Sequence, residues 1–111
     1  MSGVGPAPFS LSVDEHNGRT VIAVRGELDL ATAPQLEDTV LPVVRSGRDA
    51  VIDLRQLEFM DSTGVRVMVA AHLAAQEHGA RLAVVRSDRG AVHRVLEVSG
   101  LDGVLDMVDD V

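Results

Sequence analysis

The chain has 111 residues, 46% of them apolar, which suits one globular domain with one core. Its net charge is −7, and its basic residues are all arginine. That excludes Schiff-base lysine chemistry and a phosphate-loop lysine. With Phe9 and Phe59 as the only aromatics, it also excludes a base-stacking basic surface for nucleic acid. There is no cysteine, so disulfides and thiolate metal sites are excluded and a cytoplasmic setting is expected. No apolar run approaches the ~20 residues that span a bilayer, and the N-terminus lacks the basic and apolar regions of a signal peptide. Membrane insertion is therefore not expected.

Residues 1–8 hold two Gly and two Pro and read as a flexible arm ahead of a single domain over 9–111. Phe9, Leu11 and Val13 alternate with polar residues, the pattern of a half-buried strand. His16-Asn17-Gly18 is a hairpin turn signal, and the β-branched run Val21 to Val24 gives an antiparallel second strand. Thr32 as cap and Pro34 in the first turn predict a helix over 34–46, bent near Pro42 and stopped at Gly47. Asp49 to Leu54 reads as a buried strand. Residues 55–64 then lead into an Ala-rich helix ending at Gly79. Ala80 to Val85 is another buried strand. A third helix follows, with Ser87 or Asp88 as cap, Val92, Val95 and Leu96 as apolar face and Gly100 as stop. Residues 102–108 form a last short strand, and Asp109-Asp110-Val111 an acidic tail. The order β-β-α-β-α-β-α-β predicts an α/β fold, with a mostly parallel sheet and helices joined by right-handed crossovers.

The stretch Asp61-Ser62-Thr63-Gly64 falls at a strand's carboxyl end, where sites in such sheets gather. One reading makes Ser62 the helix cap, contributing ~1 kcal/mol. The other makes its hydroxyl a phosphate acceptor, the phosphate held by free N–H groups and the positive end of the helix dipole. A phosphate there adds roughly 1.5–2 negative charges beside Asp61. Gly64, without a side chain, allows a partner to come close. Glu27 and Asp29 follow a strand and precede a helix at the same sheet end. They read either as solvated loop charge with capping, or, with Glu58 and Asp61, as an acidic rim facing a basic partner.

A serine hydrolase is disfavoured, since Met60 stands where the Gly-x-Ser-x-Gly elbow needs its first glycine. His93 is the remote candidate for a base. His16, His72, His78 and His93 do not make a zinc pattern, and His72 reads as boundary packing. No metal, cofactor or catalytic residue is expected, and no glycine-rich phosphate loop is present.

Three stretches, "VIAVRGELDLATAPQL", "AVIDLRQLEFMDSTGVRVMVAA" and "GARLAVVRSDRGAVHRVLEVSGLDGVLDM", resemble the STAS domain of bacterial anti-sigma factor antagonists. The match runs in order over roughly 9–108, and the paired motifs are specific together. The resemblance implies a STAS fold with helices flanking the sheet. It implies partner switching in transcription regulation and stress response. The unmodified protein binds an anti-sigma factor with serine kinase activity, releasing the sigma factor. The kinase phosphorylates the motif serine and the complex parts, and a metal-dependent serine phosphatase restores the unmodified form. The acceptor matches Ser62, and the preceding acid matches Asp61. Thr63, where many relatives have Ser, is a candidate second acceptor. The partner-binding surface expected is Glu27, Asp29, Asp61, Ser62, Thr63 and Gly64, on a monomer or weak dimer that is not an enzyme. The alternatives are a STAS subunit of a membrane transporter, in which the serine is structural, and a scaffold component of a stress-signalling complex.

Overall fold

The computed structural model describes residues 8–88 and 90–111. The expected flexible arm, Pro8 apart, lies outside them. Strands β1 (Ser10–His16) and β2 (Arg19–Leu28) form the antiparallel hairpin, in register from Ser10 opposite Arg25 to His16 opposite Arg19. Asn17 and Gly18 both take positive φ, 53° and 78°. Two successive left-handed residues give a turn whose twist matches the strands it joins.

The early part of β2 pairs in parallel with β3 (Ala50–Asp53), from Thr20 with Ala50 to Ala23 with Asp53. The register shifts between Gly26 and Glu27, and the end of β2 then pairs with another strand, β4 (Leu57–Met60). The sequence reading treats these four residues as a lead-in to the helix. They contain no β-branched residue, Leu57 and Met60 do not alternate, and among the described residues their only strand partner is the tail of β2, so no periodicity marks them. The observed order is thus β-β-α-β-β-α-β-α-β.

The remaining elements are helices α1 (Ala33–Arg45), α2 (Ser62–Glu77) and α3 (Gly90–Val98), with strands β5 (Leu82–Val85) and β6 (Asp106–Val108). The sheet runs β1-β2-β3-β5-β6, with β4 beside β2. Helix α1 runs unbroken through Pro42. The first part of the expected last strand is a 3-10 turn at Leu101–Gly103.

The main core lies under α1 and α2. Leu36, Val40 and Val44 of α1 and Val67, Met68 and Ala71 of α2 meet Ile22, Val24, Ile52 and Val84 from the sheet. These spacings are the 3.6-residue stripe of amphipathic helices set on the period-2 stripe of strands. A smaller cluster, Val21, Val51, Ala83 and Val85, is separate from this core. Val108 and Val111 pack on it. The C-terminal residues are therefore a strap rather than a free acidic tail. Arg86 pairs with Asp109 (3.1 Å), Arg55 with Asp110 (3.0 Å), and Arg19 donates to the Val111 carbonyl (2.5 Å). Arg55 also forks onto Asp53, with Nε 3.0 Å from Oδ1 and Nη2 2.8 Å from Oδ2.

Candidate functional site around Ser62

The last residues of β2 and β4, Leu28 and Met60, are register partners. The Asp61 N–H donates to the Leu28 carbonyl at 3.2 Å. The loop after β2, with Asp29, and the start of α2, with Ser62, therefore leave the sheet side by side.

Asp61 is the cap of α2, in extended conformation (φ −110°, ψ −170°). Its Oδ1 accepts the Thr63 N–H at 2.9 Å and also the Thr63 hydroxyl. Its backbone carbonyl accepts the N–H of Gly64 (3.1 Å) and of Val65 (3.4 Å). The Thr63 hydroxyl, and then the backbone N–H groups, stabilise the anion and hold the Asp61 carboxyl below the ordinary aspartate value. The reading of Ser62 as cap is thus corrected. Asp, Ser and Thr can all cap, and the structure uses the first. Ser62 is the first helical residue, exposed, and its hydroxyl makes no hydrogen bond among the described residues. The expected cradle of free N–H groups is narrower than read, because Asp61 already takes those of Thr63, Gly64 and Val65 and leaves that of Ser62.

Thr63 is half-buried and its hydroxyl is committed to Asp61. Gly64 is buried, so its missing side chain faces inward rather than toward a partner. A Cβ there would lie 2.6 Å from Met60 Cγ and 2.8 Å from Leu28 Cδ2. Glycine is needed for the close seating of α2 on the two strand ends.

Asp29 is half-buried and organises its own loop. Its Oδ1 accepts the N–H of Ala31 (3.0 Å) and of Thr32 (3.2 Å), an Asx turn that leads into α1. The Thr32 side chain makes no capping bond to α1. Its hydroxyl accepts from the Asp29 N–H (2.9 Å) and donates to the Glu27 carbonyl (2.7 Å), with Asp29 Oδ1 farther off at 3.2 Å. Of the expected acidic rim, Asp29 and Asp61 therefore hold loop and cap. Glu27 and Glu58 are half-buried on the paired strands.

Sequence reasoning missed the apolar and basic parts of this region. Leu30 is 77% exposed in the Asp29 loop. An open groove of about 480 Å³ separates the start of α2 from α3. Ser62, Val65, Arg94, Val95, Val98 and Ser99 line it. Val95 was legible as apolar, but that it faces Ser62 depends on how α3 packs. His93 has its Nε2 3.5 Å from Glu97 on the same helix, and no base meets the Ser62 hydroxyl among the described residues. Nucleophilic catalysis needs that contact. Among the described residues no group of three or more metal-ligating side chains gathers, and no helix is long and apolar enough to cross a membrane.

Helices α1 and α2 thus lie over the main core of the sheet, and an exposed serine opens α2. The family model described as Mlab, STAS domain, matches residues 11–109, and the chain belongs to the STAS domain family. It is 34% identical over 99 residues to the anti-sigma-F factor antagonist RsfB of Mycobacterium tuberculosis, covering 87% of this chain and 79% of that one. It is 34% identical over 86 residues to an anti-sigma-B factor antagonist of Staphylococcus aureus, covering 76% and 78%. The crystal structure of an anti-sigma factor antagonist from Mycobacterium paratuberculosis superposes with a TM-score of 0.78 at 30% identity, covering 94% and 88%. The expected STAS fold is borne out. By their names, these relatives are antagonists of anti-sigma factors.

Proposed function

We propose that this protein is a cytoplasmic anti-sigma factor antagonist gated at Ser62. Its unmodified form binds an anti-sigma factor that is also a serine kinase, which frees the sigma factor. Phosphorylation of Ser62 ends the binding, and a serine phosphatase restores it. The observation that carries this reading is the free, exposed hydroxyl of Ser62 beside a cap made by Asp61. A phosphate can be added there without breaking the bonds that start the helix. Docking uses the outward parts of Glu27, Ser62 and Thr63, on loops shaped by Asp29 and Asp61, and Gly64 seats the helix beneath them. Thr63 is the lesser acceptor, because modification would break its bond to Asp61.

The test is to isolate the partner from the native cell, incubate it with this protein and ATP, and map the phosphate by mass spectrometry. Modification of Ser62 with loss of the complex is the expected result. A stable complex with an unmodified Ser62 supports the transporter-subunit reading instead. A native mass far above a dimer supports the scaffold reading.

A further inference from the structure

We propose that a phosphate on Ser62 is held by two arginines, Arg94 from α3 and Arg66 from α2. This rests on the reading of Ser62 as a phosphate acceptor. Of the usual ligands at a helix start, little beyond the N–H of Ser62 itself is left. Asp61 takes the N–H groups of Thr63, Gly64 and Val65, and its carboxylate repels a second anion. A dianion added at Ser62 is left with few backbone donors, and one arginine lines its groove while another stands one helical turn along α2.

Arg94 lines the same groove as Ser62. Arg66 is four residues along α2 from Ser62, the spacing at which helix side chains are neighbours. Both arginines are exposed. Neither side chain has an ion pair or hydrogen bond among the described residues, although the chain carries 17 acidic residues against 10 basic ones. Guanidinium matches phosphate with two parallel hydrogen bonds, which an ammonium cannot do. The modified site is then a phosphate tied between two helices rather than a bare negative charge. A carboxylate at position 62 is shorter, singly charged and unable to bridge both arginines. Ser62→Asp should therefore reproduce only part of the phosphate's effect.

The experiment uses the full chain with phosphoserine installed at position 62 during synthesis, so no kinase is needed. Phosphorus NMR follows the second ionisation of the phosphate with pH. It is measured in the unaltered chain, in Arg94→Gln, in Arg66→Gln, and in Arg45→Gln as a control at the far end of α1. Captured by arginine, the phosphate should ionise about one pH unit below its usual value near 6. Arg94→Gln and Arg66→Gln should each move it back toward 6, and Arg45→Gln should leave it low. Arg94→Lys should restore only part of the shift. A midpoint near 6 in the unaltered chain, or one that neither arginine moves, overturns the proposal while leaving Ser62 intact as an acceptor. Failure of the kinase to modify Ser62 overturns the functional reading and leaves the NMR result standing.

Discussion

Replacing Gly64 with alanine should destabilise the fold, although alanine is the better helix former. The added Cβ would lie 2.6 Å from Met60 Cγ and 2.8 and 3.0 Å from Leu28 Cδ2 and Cγ. Both neighbours are fully buried, so neither can swing into solvent. Overpacking of this kind costs about 1–3 kcal/mol, and the pincer of two buried neighbours favours the upper half of that range. The helix propensity gain is about 1 kcal/mol in a helix interior and less in a first turn. The net loss is about 1–2 kcal/mol, or a melting temperature lowered by roughly 5–10 °C. Urea denaturation should show a lower midpoint at unchanged slope. Met60→Ala opens the space, so the double variant should lose less than the sum of the two single losses. A midpoint equal to or above that of the unaltered chain would refute the argument that α2 is seated through Gly64.

Three other outcomes follow from the site and the strap. Asp61→Ala should lower stability by about 1 kcal/mol through loss of the cap. The Asp61 carboxyl is depressed, chiefly by the Thr63 hydroxyl, so its contribution is present above its unfolded pKa of about 3.9 and is lost as pH falls through the lower folded value. Denaturation between pH 6 and 2 should show this acid loss in the unaltered chain and a shallower one in Asp61→Ala. Asp29→Ala should lower the melting temperature, since the Asx turn loses its acceptor, while the association rate with the partner keeps its salt dependence. A lost salt dependence at unchanged stability would restore Asp29 to a steering role. Deleting Asp109 to Val111 should cost about 1 kcal/mol, mainly from Val111 packing, because the exposed ion pairs contribute little each. The loss should persist in high salt, and its disappearance there would assign the strap to its charges.

The fold was largely legible because strand and helix periods alternate cleanly and Asn17-Gly18 names its own turn. Strand β4 was not, since four residues without alternation carry no period and its pairing lies beyond a register shift in β2. The sequence pointed to a candidate site at 61–64 but could not choose a cap among Asp, Ser and Thr. That choice depends on Asp61 alone taking the extended conformation ahead of the helix. It also could not tell that Gly64 faces Leu28 and Met60, because an inward and an outward glycine look alike in one dimension. The acidic rim was read from charge at one sheet end. Charge does not reveal that the oxygens of Asp29 and Asp61 are already occupied by nearby N–H groups. Arg94 was missed because its nearness to Ser62 is created only when α3 packs beside the start of α2.

The central claim, that Ser62 is the gate, is tested most directly by calorimetric titration of the isolated partner kinase. Three forms are compared: the unmodified chain, the chain carrying phosphoserine at 62, and Ser62→Ala with ATP present. The account predicts tight binding of the first, loss of binding by the second, and tight binding by the third that ATP does not abolish. Equal affinity of the phosphorylated and unmodified chains, or collapse of Ser62→Ala binding on adding ATP with Thr63 unmodified, would contradict it.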